Sequence, residues 1–286
     1  MACKTFIIEA ALDGQRADAV IRRYMPQLQD ADIRNIFSHR DVKLDGVRIH
    51  PDVRVHSGQT VTVYYMQGAA CTLDVVYEDK DVLLVNKRAG ISVEPDAGGG
   101  ASMIQLAQEH VGDSFCPVPC HRLDNQTCGL LLFAKNETSQ TVLEDVFRKR
   151  SLTKLYTCLV RGSMKPPEAV CRAYLVKNAS LGKVTVYDHE VRGSKVILTE
   201  YRTISSEGQL SRLEVHLITG RTHQIRAHMA ALGHPLLGDD LYGDRAFNRL
   251  QHAQGKLKLC ASSLCLNTQG RLPQLDGVVF SVPCPF

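Results

Sequence analysis

Between residues 14 and 65 the apolar positions change period once, from helical spacing to alternation. Ala17, Val20, Ile21 and Tyr24 recur at helical spacing up to Pro26, and Ile33, Ile36 and Phe37 repeat that spacing after Asp30, which predicts two short helices. VKLDGVRI then alternates on either side of Asp45 and Gly46, the residue pair best suited to a two-residue hairpin turn, and VTVYY at 61 to 65 predicts a further strand. This stretch reads as an α-α-β unit. The small-residue segment MQGAACT at 66 to 72 interrupts every pattern, and the domain boundary is placed there.

Strand patterns dominate the remainder. VVYEDKDVLLVNK predicts two strands around an acidic turn, SMIQLAQEH a short helix with Met103, Ile104 and Ala107 inward, and GLLLFAKN a buried strand. SQTVLEDVFRKR predicts a helix that buries Val142, Leu143, Val146 and Phe147. KLYTCLVRG, KVILTEYRTI and RLEVHLIT read as strands, and RTHQIRAHMAAL as a helix ending at Gly233. GISVEPDAGGG is expected to be loop. Its glycine run, 98 to 100, has no following GK[ST], so it is no nucleotide-binding loop.

Composition places these elements in an ordinary globular protein. The 286 residues are 44% hydrophobic and 22% charged, enough chain for a small domain and a larger one and too apolar for a disordered class. Apolar runs such as Val82 to Val85 and Gly129 to Ala134 fall far short of the roughly 20 residues of a membrane helix. The opening MACKTFIIEAALDGQ carries Glu9 and no apolar stretch of leader length, so a cytoplasmic location is expected. Ten cysteines, none in a C-x₂-C pair, fit reduced thiols in apolar surroundings better than a disulfide framework or structural zinc. The net charge of +4 is a weak pointer to an anionic partner. More specific is 146 to 165, which holds Arg148, Lys149, Arg150, Lys154, Arg161 and Lys165 with no acid. It is either a phosphate-facing stripe or a solvated helix end followed by an edge strand.

Two polar concentrations sit beside apolar walls. In PVPCHRLDNQTCGLLLFAK, His121, Arg122, Asp124, Asn125, Gln126 and Thr127 form a turn feeding a buried strand, where Asp124 either serves chemistry or orders the turn. In TGRTHQIRAHMAALGHPLLGDDLYG, Arg221, His223, Gln224, Arg226, His228 and His234 are clustered. On a helix His223 and His228 would lie about 140° apart and His228 and His234 about 240° apart, so the histidines share no face and no metal site is expected. The plain structural alternative is a basic helix start with Thr222 capping and Arg226 solvated.

CHRLDNQTCGLLLFAKN, KLYTCLVRG and LITGRTHQIRAHMAALGHPLLGDDLYG resemble the signature blocks of the RluA-type pseudouridine synthases, and YEDKDVLLVNKRAGISVEP resembles the strand pair that opens their catalytic domain. The resemblance covers roughly residues 73 to 286. Residues 14 to 65 are similar, more loosely, to the S-four-type RNA-binding module, although residues 1 to 68 hold nine Lys and Arg against eight Asp and Glu. The resemblance implies an α+β protein. An α-α-β RNA-binding module at 1 to 68 precedes a catalytic domain at 73 to 286, built on a mixed, largely antiparallel sheet with flanking helices and a central cleft.

The implied activity is isomerisation of uridine to pseudouridine in RNA, without cofactor or metal; nothing in the sequence demands more than a monomer, and the short apolar runs predict no membrane partner. Asp124 matches the catalytic aspartate, whose oxygen can attack the sugar or take a proton from it. Arg221 matches the arginine that pairs with it, since an ionised carboxylate in a partly dry pocket needs a cation. Tyr156 matches the tyrosine that packs on the uracil. Arg122 is expected to enter the RNA and hold the target out of its stack; Ile225 walls the pocket, and Lys154 and His121 join the substrate contacts. Two positions depart from the family pattern: Cys128 replaces a common Ser, and Glu94 a frequent His. Large-subunit ribosomal RNA is the expected substrate, with transfer RNA and a noncatalytic ribosome-assembly role as the alternatives.

Overall fold

Asp45 and Gly46 both adopt positive φ, 48° and 86°, which is the backbone a tight two-residue hairpin requires. The computed structural model that shows this describes residues 2–25, 28, 30–65, 73–95, 101–112, 115–178 and 182–286. The expected boundary at 66 to 72 and the glycine run at 98 to 100 lie outside the described residues.

By internal contacts the chain divides into two compact units, 1–73 with 91–112 and 74–90 with 113–286. The division differs from the sequence-based one in grouping 91–112 with the N-terminal residues. In the first unit, β1 (Ala2–Ile7), α1 (Ala17–Tyr24), α2 (Asp30–Ser38), β2 (Val42–Leu44), β3 (Val47–Arg48) and β4 (Thr60–Tyr65) follow in order, with α3 (Met103–Val111) supplied by the later segment. The sheet order is β1-β4-β2-β3. Strand β1 is absent from the sequence reading; Phe6, Ile7 and Ile8 are consecutive apolar residues and hide the alternation, although Ile7 is 64% exposed and Ile8 is buried. The helices close over the sheet through Val20, Ile21, Ile33 and Phe37 against Val42, Val61 and Val63. Helix α3 starts on a capping box between Ser102 and Gln105 and buries Leu106, whereas Ile104, expected inward, is half-buried.

The second unit contains β5 (Val75–Glu78), β6 (Val82–Lys87), β7 (Val118–Pro119), β8 (Cys128–Ala134), α4 (Glu137–Lys149), β9 (Leu152–Arg161), β10 (Glu168–Asn178), β11 (Lys183–Tyr187), β12 (Lys195–Glu207), β13 (Leu210–Leu217), α5 (Gln224–Ala231), α6 (Arg245–Leu250), β14 (Leu259–Leu266) and β15 (Val279–Ser281). They build an 11-stranded sheet whose main path runs β11-β10-β12-β13-β9-β14-β8-β6-β5. Among the described residues every strand pair in it is antiparallel except β14 with β8, so the sheet is mixed and largely antiparallel, as expected. All seven residues of β8 are buried, and α4 covers its Leu130 and Leu132 with Val142, Leu143 and Val146.

The parallel seam depends on Gly129. Its φ is 108°, and a Cβ there would run into the backbone carbonyl of Ala261 and lie 2.6 Å from the Ala261 nitrogen. Gly129→Ala is expected to cost about 3 kcal/mol through combined strain and overpacking, read as a lowered urea midpoint with unchanged slope.

Candidate active site

The turn that carries Asp124 is fastened from below. Thr127 N–H donates to Asp124 O at 3.0 Å, and Gly90 N–H to Asn125 O at 2.8 Å. Lys87, at the end of β6 and fully buried, donates from Nζ to Asn125 O at 2.9 Å and Arg88 O at 3.0 Å. Burial pushes its ammonium down to about 8, opposed by Cys128 and Asp124. Sequence reasoning passed over Lys87 because a lysine at a strand end is ordinarily solvated.

The cation beside Asp124 is Arg226. Its Nη1 donates to Asp124 Oδ2 at 3.1 Å, while Nε and Nη2 make a fork to Asp239 at 2.8 and 2.9 Å. Asp239, whose side chain is fully enclosed, also accepts from the N–H groups of Leu241 and Tyr242 at 2.8 and 3.0 Å. Burial pulls the Asp239 carboxyl upward, and the Arg226 fork with these amides outweighs it, leaving the group below the usual carboxylate range. Arg226 is therefore a buried, pre-oriented guanidinium and not a solvated one.

The expected Asp124–Arg221 pair is corrected accordingly. Arg221 is exposed, precedes α5, and donates its backbone N–H to Gln224 Oε1 at 3.2 Å. Helix α5 begins after His223, which takes the left-handed conformation with φ 52° and caps through no side chain, so Thr222 is not the cap. With that start, position 226 falls in the first turn and points inward, while 221 stays on the rim. Gln224 is buried and ties the turn to β12, donating to Leu198 O and Thr199 Oγ1.

Asp124, Arg122, Arg221, Ile225, Arg226 and Tyr156 line one cleft together with His223, Leu217 and Leu259. Tyr156 is 6% exposed; burial, with the Asp124 charge adding to it, pushes its phenol above the ordinary range, so the ring stays neutral. The cleft thus sets one paired carboxylate beside an aromatic face and an apolar wall, with Arg122 and Arg221 on its exposed rim.

Two predicted substrate contacts lie elsewhere. His121 accepts the Leu132 N–H on Nε2 at 3.3 Å and stacks on Phe147 with ring centroids 5.2 Å apart; burial pushes the ring down to about 3. Lys154 lies over the same Phe147 ring, 5.4 Å from its centroid. Both are spent on packing α4 against the sheet. The acid-free stripe is divided as well, since Arg148 and Lys149 pair with Asp145 and Arg161 with Asp244.

His228 faces the interior from α5, 1% exposed, with Nδ1 2.9 Å from Thr199 Oγ1. Burial pushes the ring down to about 4, so below pH 6.5 the unfolded chain binds the proton that the folded chain refuses. This contribution is complete above about pH 6.5 and is lost as pH falls toward 4, on the order of 3 kcal/mol. Urea unfolding across that window should show wild type losing this much more stability than His228→Gln.

Residues 81–231 match the sequence profile of the family described as RNA pseudouridylate synthase. The chain belongs to that family. Relatives to which this synthase is similar include the ribosomal large subunit pseudouridine synthase D of Yersinia pestis, 32% identical over 81% of this chain and 74% of the relative. Another is an uncharacterized RNA pseudouridine synthase, YhcT, of Bacillus subtilis, 29% identical over 83% of this chain and 82% of the relative. Among solved structures the synthase is similar to human RNA Pseudouridylate Synthase Domain Containing 1, with TM-score 0.62 and 27% identity over 77% of this chain and 87% of the other. Human RNA Pseudouridylate Synthase Domain Containing 4 shares the fold at TM-score 0.60 and 23% identity, over 74% of this chain and 88% of the other. This RNA pseudouridine synthase is an isomerase that moves uracil from a nitrogen to a carbon linkage on ribose, and the residues lining its Asp124 cleft all lie within the matched segment except Leu259.

Proposed function

We propose that the synthase acts on uridine in large-subunit ribosomal RNA, with Asp124 as the carboxylate that attacks the ribose or takes its proton. The observation that carries the assignment of Asp124 is its ion pair with the buried Arg226 in the one cleft that also holds Tyr156 and Ile225. Arg226 pairs with the carboxylate and aims it. Tyr156 stacks on the uracil while it turns, Ile225 excludes water beside it, and Arg122 and Arg221 on the rim meet phosphate or the space vacated by the flipped nucleotide.

Several relatives named ribosomal large subunit pseudouridine synthase D, matched over most of their length, support the ribosomal substrate. The N-terminal residues, 1 to 68, serve as an S-four-like RNA-binding module ahead of a catalytic domain at 73 to 286. We take the synthase to act as a monomer, and among the described residues no helix is long and apolar enough to cross a membrane. We place the protein in the cytoplasm, with its ribosomal substrate.

Tritium release from RNA labelled at carbon five of uracil tests the assignment directly, because that hydrogen is lost whenever carbon five joins the sugar. Wild-type protein should release label from large-subunit ribosomal RNA or its precursor particles. Release from transfer RNA alone would overturn the ribosomal assignment.

A further inference from the structure

Above Asp124 lies a chain of hydrogen bonds that ends on its carboxylate. The backbone N–H of Val184, on β11, donates to the Tyr242 hydroxyl oxygen at 2.9 Å. That oxygen is also 2.9 Å from His223 Nδ1. A backbone N–H can only donate, so the phenol accepts from Val184 and keeps its own O–H available to donate to the imidazole. With the phenol donating, a neutral ring carries its hydrogen on Nε2. Nε2 stands 3.7 Å from Asp124 Oδ2, the same oxygen that Arg226 Nη1 reaches at 3.1 Å.

The surroundings favour a neutral ring. Burial is the largest influence and lowers the imidazole; Asp124 and Asp239 oppose it, while Arg226 and Lys177 reinforce it. The backbone holds the ring in place, because His223 sits in the left-handed region at φ 52° and its ring meets Tyr242 edge-on, with centroids 5.6 Å apart. A left-handed non-glycine residue at a cleft is a strained conformation that packing must maintain.

We propose that His223 is a positioning residue for Asp124: held as the Nε2–H tautomer by Tyr242, it donates to Oδ2 in the RNA complex and, with Arg226, leaves Oδ1 as the oxygen that meets the ribose. This rests on the reading of Asp124 as the catalytic carboxylate. Two donors on one carboxylate oxygen fix its rotation about the Cβ–Cγ bond, and orientation of this kind acts on turnover more than on RNA affinity.

The test combines spectroscopy with kinetics on the full chain. Nitrogen NMR of protein labelled at the histidine rings should show His223 as the neutral Nε2–H tautomer at pH 7 in wild type and as mixed tautomers in Tyr242→Phe. In tritium-release assays His223→Leu should lower kcat about 30-fold with KM nearly unchanged, the loss expected for one hydrogen bond to a charged group. His223→Gln, which keeps a donor of similar reach, should recover most of that loss. An Nδ1–H tautomer or an imidazolium in wild type, or full kcat in His223→Leu, overturns the proposal. If Asp124→Asn also keeps full kcat, the assignment of Asp124 falls with it; if Asp124→Asn is inactive while His223→Leu is not, only the role of His223 falls.

Discussion

Asp124→Asn protein is expected to bind RNA and release no tritium from it. The amide has the size of the carboxylate, and its oxygen can still accept from Arg226 Nη1, which now stands 3.1 Å from Oδ2. It lacks the negative charge needed to attack carbon or to take a proton. Removing a residue that performs the bond-making itself lowers turnover on the order of 10⁴-fold. Stability should change little, since Arg226 keeps its fork to Asp239 and the lost partner is the more exposed of its two carboxylates. A thermal melt close to wild type beside absent turnover separates chemistry from folding. Full turnover in Asp124→Asn would remove the residue from the mechanism.

Arg226→Met is expected to fail on both counts. One guanidinium serves two carboxylates, and Asp239 has no exposed side-chain surface. Removing the cation leaves Asp239 with two backbone amides and an uncompensated buried charge, a loss of about 3–5 kcal/mol. Asp124 loses its ion pair in the same step, so turnover should fall to the level of Asp124→Asn. Arg226→Lys keeps the charge but cannot reproduce a fork plus a third bond, so it should recover only part of the stability. The carboxyl of Asp239 is depressed in the folded wild type, and the stability it contributes is present above the unfolded carboxylate range and lost as pH falls through the folded value. The deficit of Arg226→Met against wild type should therefore narrow in acid, and urea titrations at pH 7 and pH 4 would show it. Equal stability of the two proteins at pH 7 would mean that the Arg226–Asp239 pair contributes nothing net.

How much of this was legible in the chain differs from residue to residue. Asp124, Tyr156 and Ile225 were named from motif blocks and share the cleft. The wrong arginine was paired with Asp124 because GRTHQIR offers two, and the choice turns on where α5 begins. A left-handed His223 is not a pattern that hydrophobic spacing encodes. The residue that anchors Arg226, Asp239, lies thirteen positions downstream in GDDLYG, and nothing local distinguishes it from its neighbour Asp240. His121 is expected among the substrate contacts, but its ring turns to the backbone of β8. Strand β14 was missed for a similar reason: serines interrupt LCASSLCL, and its neighbours β9 and β8, which complete its pairing, are remote in sequence.

That strand sets an order of events during synthesis. Strand β14 is the seam between β9 and β8, and Cys128 on β8 reaches the Leu259 carbonyl across 131 positions of chain. Until residues 259–266 have been made, the two halves of the sheet have no strand between them, and the Asp124 cleft lacks Leu259 from its lining. Closing so long a loop is entropically unfavourable and slow compared with local hairpins. Local hairpins such as that between β2 and β3 can therefore form ahead of the cleft, whereas catalysis must wait for β14 to dock between β9 and β8. A nascent synthase lacks a complete cleft until Leu259, which lines it, has been made and docked.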